Sequence, residues 1–385
     1  MPAAQSQIFL LKLFFLLQPV AFGSWLPCIP EVQRVLGLDA RSLAFALAGM
    51  PAGILLTLPF AAPAVHATGP RRMLMIMFPM FLISAVLPVW AQSQFGLFLS
   101  LLLLGCALST TELAMNVEAD SLEKQHKVSI MNACHGFWSL GMMTGSLLGA
   151  TQSEFAIAPG WGVALTATAV LIPGWVTAYG LPTAQQATTT SVSPNAASWW
   201  PSSSLLGIAV FVFGVTLTEG AIADWSAVFL HDVHGANGLS AGFGYSAFAG
   251  LMTMMRLNGD ALKRRYSSVS LARACGGIAV LGTVLVVTSI NAVTATVGFA
   301  LLGIGAAVAF PLAVSSGGQL TDRPVAASVA FISFVALVGF LVGPVVIGTM
   351  AQAFGMRIGL SMVLPALIIS LMLAHNLNRR TMVLK

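Results

Sequence analysis

The chain has 385 residues, a length that in a soluble protein would mean two or three domains. Only 8% of them are charged and 57% are hydrophobic, against about 25% charged in an average soluble domain. Too few charges remain to cover a water-exposed surface, and the net charge of +5 sits at the ends of apolar runs, where it sets orientation in a membrane rather than binding nucleic acid.

Twelve spans of about 20 to 22 residues take up most of the length. The connections and tails left over are short, which excludes an appended catalytic or nucleotide-binding domain. The runs are too long and too uniformly apolar for a barrel of alternating strands. In chain order, spans are expected at 8–29, 42–65, 73–91, 95–119, 128–150 and 161–181, then at 204–230, 240–262, 270–289, 293–315, 325–350 and 357–377. Lys12 lies inside the first run, which continues through Trp25 and two prolines, unlike a cleaved signal peptide. Residues 182–203 are uncharged and rich in Thr, Ser, Ala and Gln, so they read as a linker, with Trp199 and Trp200 as interfacial anchors. The expected organisation is therefore an all-α membrane protein of two six-helix bundles, 1–181 and 204–385, joined by 182–203.

Lys and Arg set the orientation. With both termini in the cytoplasm, that side receives Arg71, Arg72, Lys124, Lys127, Lys263, Arg264, Arg265, Arg323, Arg379, Arg380 and Lys385. The opposite side receives Arg34, Arg41 and Arg357, a clear excess of positive charge inside. The cysteines Cys28, Cys106, Cys134 and Cys275 show no CxxC spacing and read as small buried hydrophobes. No metal or cofactor is expected.

Ionisable groups inside spans are costly and mark function. Glu112 in the fourth span shares a helix face with Asn116, and His135 in the fifth shares one with Ser139. The two spans run in opposite directions, so Glu112 and His135 are expected to meet at one depth and form a protonation site. Glu219, near the middle of the seventh span, is a second coupling candidate. Asp224 is five residues on and faces about 140° away, which suggests an outer gate or interface residue. Gln18, Trp25, Asn132, Trp138 and Trp225 are polar or amphipathic groups on helices that should line a cavity, and with Asn116 and Asp224 they are the expected substrate contacts. No Lys or Arg falls near the middle of a span, so an anionic solute would lack a counter-charge. A neutral or cationic solute is expected.

Glycines recur every four residues at Gly141, Gly145 and Gly149 in the fifth span. Gly339, Gly343 and Gly348 stand in the eleventh, with Pro344 between the last two. Such small faces allow close helix contact, and their matching places in the two halves suggest an internal repeat.

The segment Gly250-Leu-Met-Thr-Met-Met-Arg256-Leu-Asn-Gly259-Asp260-Ala-Leu-Lys-Arg-Arg265 resembles the cytoplasmic motif between helices 8 and 9 of the major facilitator superfamily, and the resemblance extends over essentially the whole chain. It implies a gating role for Arg256, Gly259 and Asp260, with Asp260 engaging the N-terminus of the fifth helix near Lys127 to Ile130. Between the second and third spans Gly69, Arg71 and Arg72 remain, while His66 and Ala67 stand where Asp and Arg are usual. Within the superfamily, Gly23–Pro30, Glu112–Asn116, His135–Gly141 and Glu219–Ser226 are similar to the bacterial inner-membrane YbjJ-type transporters, distant relatives of the fucose–proton symporters. In those symporters a Glu with an Asn four residues on serves proton coupling, and Glu112 and Asn116 match it. Their helix 1 Asp has no counterpart here, with Gly23 near that position, so sugar specificity is not carried over. The Gly-Pro pair of drug–proton antiporters is lacking in the fifth span.

These features lead to an expected monomeric carrier in the bacterial inner membrane that moves a small organic solute by alternating access, coupled to protons. The rival expectations are an efflux transporter of drugs or metabolites, and a sensor or scaffold on a carrier fold. No enzymatic activity is expected, because the sequence has no HExxH and no Ser/His/Asp set at credible depth.

Overall fold

In a bilayer every backbone polar group must be satisfied within the chain, which leaves helices as the economical way for so apolar a sequence to cross. The computed structural model describes residues 2–182, 201–320 and 324–377. Twelve long helical units follow one another. We label them α1 (Ala4–Leu36), α2 (Ala40–Thr68), α3 (Pro70–Trp90), α4 (Gln94–His126), α5 (Met131–Glu154) and α6 (Pro159–Gly180). The second set is α7 (Ser203–His234), α8 (Gly238–Arg265), α9 (Ser268–Val287), α10 (Ala292–Gly317), α11 (Val325–Phe354) and α12 (Met356–Leu377). Among the described residues, ten are long and apolar enough to cross a membrane by length and composition. The other two, α5 and α8, carry serines and glycines because each spends a face on the other. Apart from its outermost residues, the expected linker, with Trp199 and Trp200, lies outside the described residues.

Local chemistry sets the breaks. Pro27 interrupts α1 with a 3-10 turn at Leu26–Cys28. The left-handed Gly37 (φ 63°) ends α1, and Asp39 caps α2 by accepting a hydrogen bond from the Ser42 amide at 2.7 Å. Gly69 (φ 82°) followed by Pro70 separates α2 from α3.

Each half packs in the same way. Gly141, Gly145 and Gly149 of α5 lie directly against the carbonyls of Leu16, Val20 and Ser24 on α1. In the second half Gly339 and Gly343 of α11 lie against backbone of Phe213 and Leu217 on α7. Gly105 of α4 meets the Met50 carbonyl of α2, and Gly303 of α10 meets the Phe248 carbonyl of α8. The expected repeat is thus a repeat of contacts: α1/α5 corresponds to α7/α11, and α2/α4 to α8/α10.

The start of α1 and the end of α12 lie on one face, here the terminal face, and the opposite one is the far face. On the far face the halves are bonded together. The Ala40 amide of α2 donates to Gln352 Oε1 of α11 at 3.1 Å, and the Leu239 amide at the start of α8 donates to Glu154 Oε2 at the end of α5 at 3.2 Å. Gly348 of α11 receives Ala44 of α2 beside it. Midway along, Ser246 of α8 donates to Ser146 of α5 at 3.0 Å.

Candidate functional site

Between the halves lies an arginine the sequence reading placed elsewhere. Arg256 on α8 has Nη2 at 3.6 Å from Glu219 Oε2 on α7, with side chains 13% and 14% exposed. Its Nη1 donates to Ser139 Oγ on α5 at 2.7 Å, and its Nε to the Ala307 carbonyl on α10 at 3.5 Å. Ser139 Oγ in turn donates to the His135 carbonyl at 3.1 Å. One guanidinium thus ties three helices of the second half to one of the first.

This corrects the expectation that no cation reaches the centre of the spans. A helical side chain leans toward the N-terminus of its own helix, and four rotatable bonds carry the guanidinium further back to Glu219. A largely buried charge needs a partner, and Glu219 is within reach. The premise behind a neutral or cationic solute therefore falls.

Glu112 and His135 are not paired with each other. Among the described residues no ion pair within 4.0 Å joins them, and Glu112 makes no hydrogen bond. The reason is packing: α5 gives its faces to α1 and α8, so the His135 ring turns to the edge of Phe15 on α1, with centroids 5.7 Å apart. Glu112 is half-buried on α4, one turn from Asn116, whose Oδ1 is buried without a partner.

The aromatic candidates separate. Trp138 is half-buried and its Nε1 donates to Gln18 Oε1 at 3.1 Å, while Gln18 Nε2 is buried with no partner. This pair links α5 to α1 beside Ser139 and keeps free polar capacity. Trp25 and Trp225, expected as substrate contacts, are sealed at 1% and 0% exposure. Trp225 Nε1 donates to the Pro344 carbonyl at 3.2 Å and its ring lies on Gly348, so it locks α7 to α11. Asp224, beside it, is buried. Asn132 is half-buried near the start of α5.

At the terminal face, the α5 N-terminus expected to receive Asp260 is capped from within its own half. Glu123 Oε1 accepts from the Ile130 and Met131 amides at 2.5 and 2.8 Å. Glu123 lies in the last turn of α4, just before the short connection to α5, so it reaches these amides without crossing between halves. The Asp260 side chain lies outside the described residues. Gly259 is not needed for space, because a Cβ there would meet nothing.

Two further residues were not legible in the sequence. Glu118 on α4 is 0% exposed, and neither carboxyl oxygen has a hydrogen-bond partner. It fell at the edge of the expected span, whereas α4 runs on to His126. Its position six residues after Glu112 was the available signal. Tyr245 on α8 is 6% exposed and shares the electrostatic surroundings of Glu219, Arg256 and Asp224. A lone tyrosine in a glycine-rich span gave no such hint.

A long bundle with a charge cluster between two similar halves defines a carrier-type membrane protein. The sequence profile of the Major Facilitator Superfamily matches residues 13–331, and the chain belongs to that family: it is a membrane transporter of the major facilitator type. It is 30% identical over 344 residues to the transporter y4wD of Sinorhizobium fredii, covering 89% of this chain and 91% of that one. It is 28% identical over 346 residues to an MFS-type transporter of Yersinia pestis, covering 89% and 88%. Among solved structures it is similar to a variant of the nucleoside transporter NupG, with TM-score 0.76, 14% identity, and 96% and 98% of the chains covered. It is also similar to a bacterial homologue of the human lysosomal transporter Spinster in an inward-facing, unoccupied conformation, with TM-score 0.73, 12% identity, and 98% of each chain covered.

Proposed function

We propose that this transporter moves a small organic solute across the bacterial inner membrane by alternating access, coupled to protons, with its termini in the cytoplasm. The observation that carries the reading is Glu112, a half-buried carboxyl inside a span that makes no hydrogen bond among the described residues. An unpaired acidic group at a helix centre costs about 2.5–3.5 kcal/mol on insertion scales. Its proton exchange therefore depends on whether the site opens to water. Solute and proton then influence one another through linkage, and the match of Glu112 and Asn116 to the fucose–proton symporter pattern supports the same role. The lack of a Gly-Pro pair on α5 favours symport over drug antiport.

The test uses proteoliposomes loaded with a pH-sensitive dye and challenged with a panel of solutes. Solute-driven acidification of the lumen and uphill accumulation should be lost in Glu112→Gln, while solute exchange across the membrane persists. Accumulation by Glu112→Gln against a gradient would overturn the assignment.

A further inference from the structure

We infer that Arg256 is the receptor for a carboxylate group on the transported solute, and that Glu219 is the internal carboxylate holding that receptor until the solute arrives. The inference rests on the transport reading and names the substrate class of the same site.

The geometry of the pair carries it. Arg256 Nη1 is committed to Ser139 Oγ at 2.7 Å, while Nε only reaches the outer limit of hydrogen bonding, 3.5 Å from the Ala307 carbonyl. Nη2 faces Glu219 at 3.6 Å, an ion pair too long to be a hydrogen bond. A structural arginine–carboxylate pair closes to about 2.7–2.9 Å and is commonly bidentate. This one is held apart, and both side chains keep some exposure. Glu219 thus balances the charge without filling the hydrogen-bonding fork. A solute carboxylate replaces it with the same charge and better geometry, so no new ion has to be buried. One guanidinium balances one negative charge, which fits a monocarboxylate better than a phosphate. The receptor also sits where binding can be felt by both halves: Ser139 belongs to α5 of the first, and Glu219 and Ala307 to the second.

Displacement has a consequence for protons. A Glu219 carboxylate left beside an occupied Arg256 would be an unpaired, largely buried charge, and it is relieved by taking a proton from water. The titratable groups facing the pair are Tyr245 on α8 and His135 on α5, with Asp224 on α7 reaching it only through Tyr245. The solute anion and a proton then travel together.

The experiment uses the purified full-length protein and three carboxylates, benzoate, lactate and glucuronate, each beside its amide, benzamide, lactamide and glucuronamide. Concentration-dependent thermal stabilisation gives the affinity. At least one carboxylate should stabilise the protein where its amide does not. Glu219→Gln, which removes the competing charge and keeps the shape, should tighten that carboxylate about tenfold and flatten the pH dependence of binding. Arg256→Gln should abolish the effect, and Arg256→Lys should keep a weakened form of it. If no carboxylate outperforms its amide in Glu219→Gln, or if Arg256→Gln binds as the wild type does, the inference is wrong. A carboxylate bound in this charge-dependent way but not carried into proteoliposomes would leave the receptor standing and defeat the transport reading. Proton-driven uptake of a neutral solute at equal rates by wild type and Arg256→Gln would do the reverse.

Discussion

Gly145→Ala should open the seam between α1 and α5. A Cβ at Gly145 would run into the Val20 carbonyl oxygen, with Gly23 Cα only 3.0 Å away, and Gly23 is equally tight, with a Cβ there 2.5 Å from the Met142 carbonyl oxygen. Neither obstacle is a side chain that can rotate aside, so the helices must part by roughly an ångström. Overpacking of this kind costs about 1–3 kcal/mol, and the neighbouring contacts at Gly141 and Gly149 loosen with it. At about 1–2 °C per kcal/mol for a chain of this size, the thermal midpoint of purified protein, followed by tryptophan fluorescence, should fall by about 2–5 °C. Gly277→Ala on α9 is the control. A Cβ there meets nothing within 4 Å, and the helix gains up to about 1 kcal/mol of propensity, so its midpoint should hold or rise. Equal midpoints for the two variants would refute the argument that backbone contact fixes this seam.

Trp225→Phe should lose the hydrogen bond to the Pro344 carbonyl and lower stability by about 1–2 kcal/mol, with solute affinity unchanged in the same preparation; a specific loss of affinity would return Trp225 to the substrate contacts. Glu154→Ala removes the acceptor of the Leu239 amide, a carboxylate at a helix N-terminus worth about 0.3–1 kcal/mol. Spin-label distances across the far face should then show a two- to fivefold larger open population; an unchanged distribution would make the contact incidental. Asp39, whose carboxyl is held below the usual range by the Ser42 amide it accepts from, stabilises α2 above the ordinary carboxylate range and loses that contribution as pH falls through its depressed value. Asp39→Asn should keep the cap and erase this acid dependence, as melting of the two proteins between pH 2 and 6 would show.

Much of the fold was legible because apolar length is a direct physical requirement of the bilayer. The eleventh span, expected at 325–350, is Val325–Phe354, and the twelfth, expected at 357–377, is Met356–Leu377. The glycine repeat on α5 was legible for the same kind of reason, since spacing by four fixes a face. The site was less so. Depth along a helix could be read for Glu112 and His135, but not which neighbour each helix faces, and α5 turned His135 to α1. Arg256 was misplaced because counting residues locates a Cα, whereas a long side chain sets its charge more than a turn away. Trp25 and Trp225 resemble cavity aromatics in sequence, and only packing reveals that they are sealed.

The pairing of α5 with α8 also bears on how the chain enters the membrane. These are the two helices too polar to qualify as spans alone, and the serines that join them, Ser146 and Ser246, are 100 residues apart. At about 5–20 residues per second of synthesis, α5 waits roughly 5–20 s for its partner. During that interval α1 can cover its glycine face, but the serine face has no protein to meet. The insertion machinery must shelter that face or admit α5 late, so a slowed ribosome between α6 and α7 should expose this protein to quality control more than a pause anywhere in the second half.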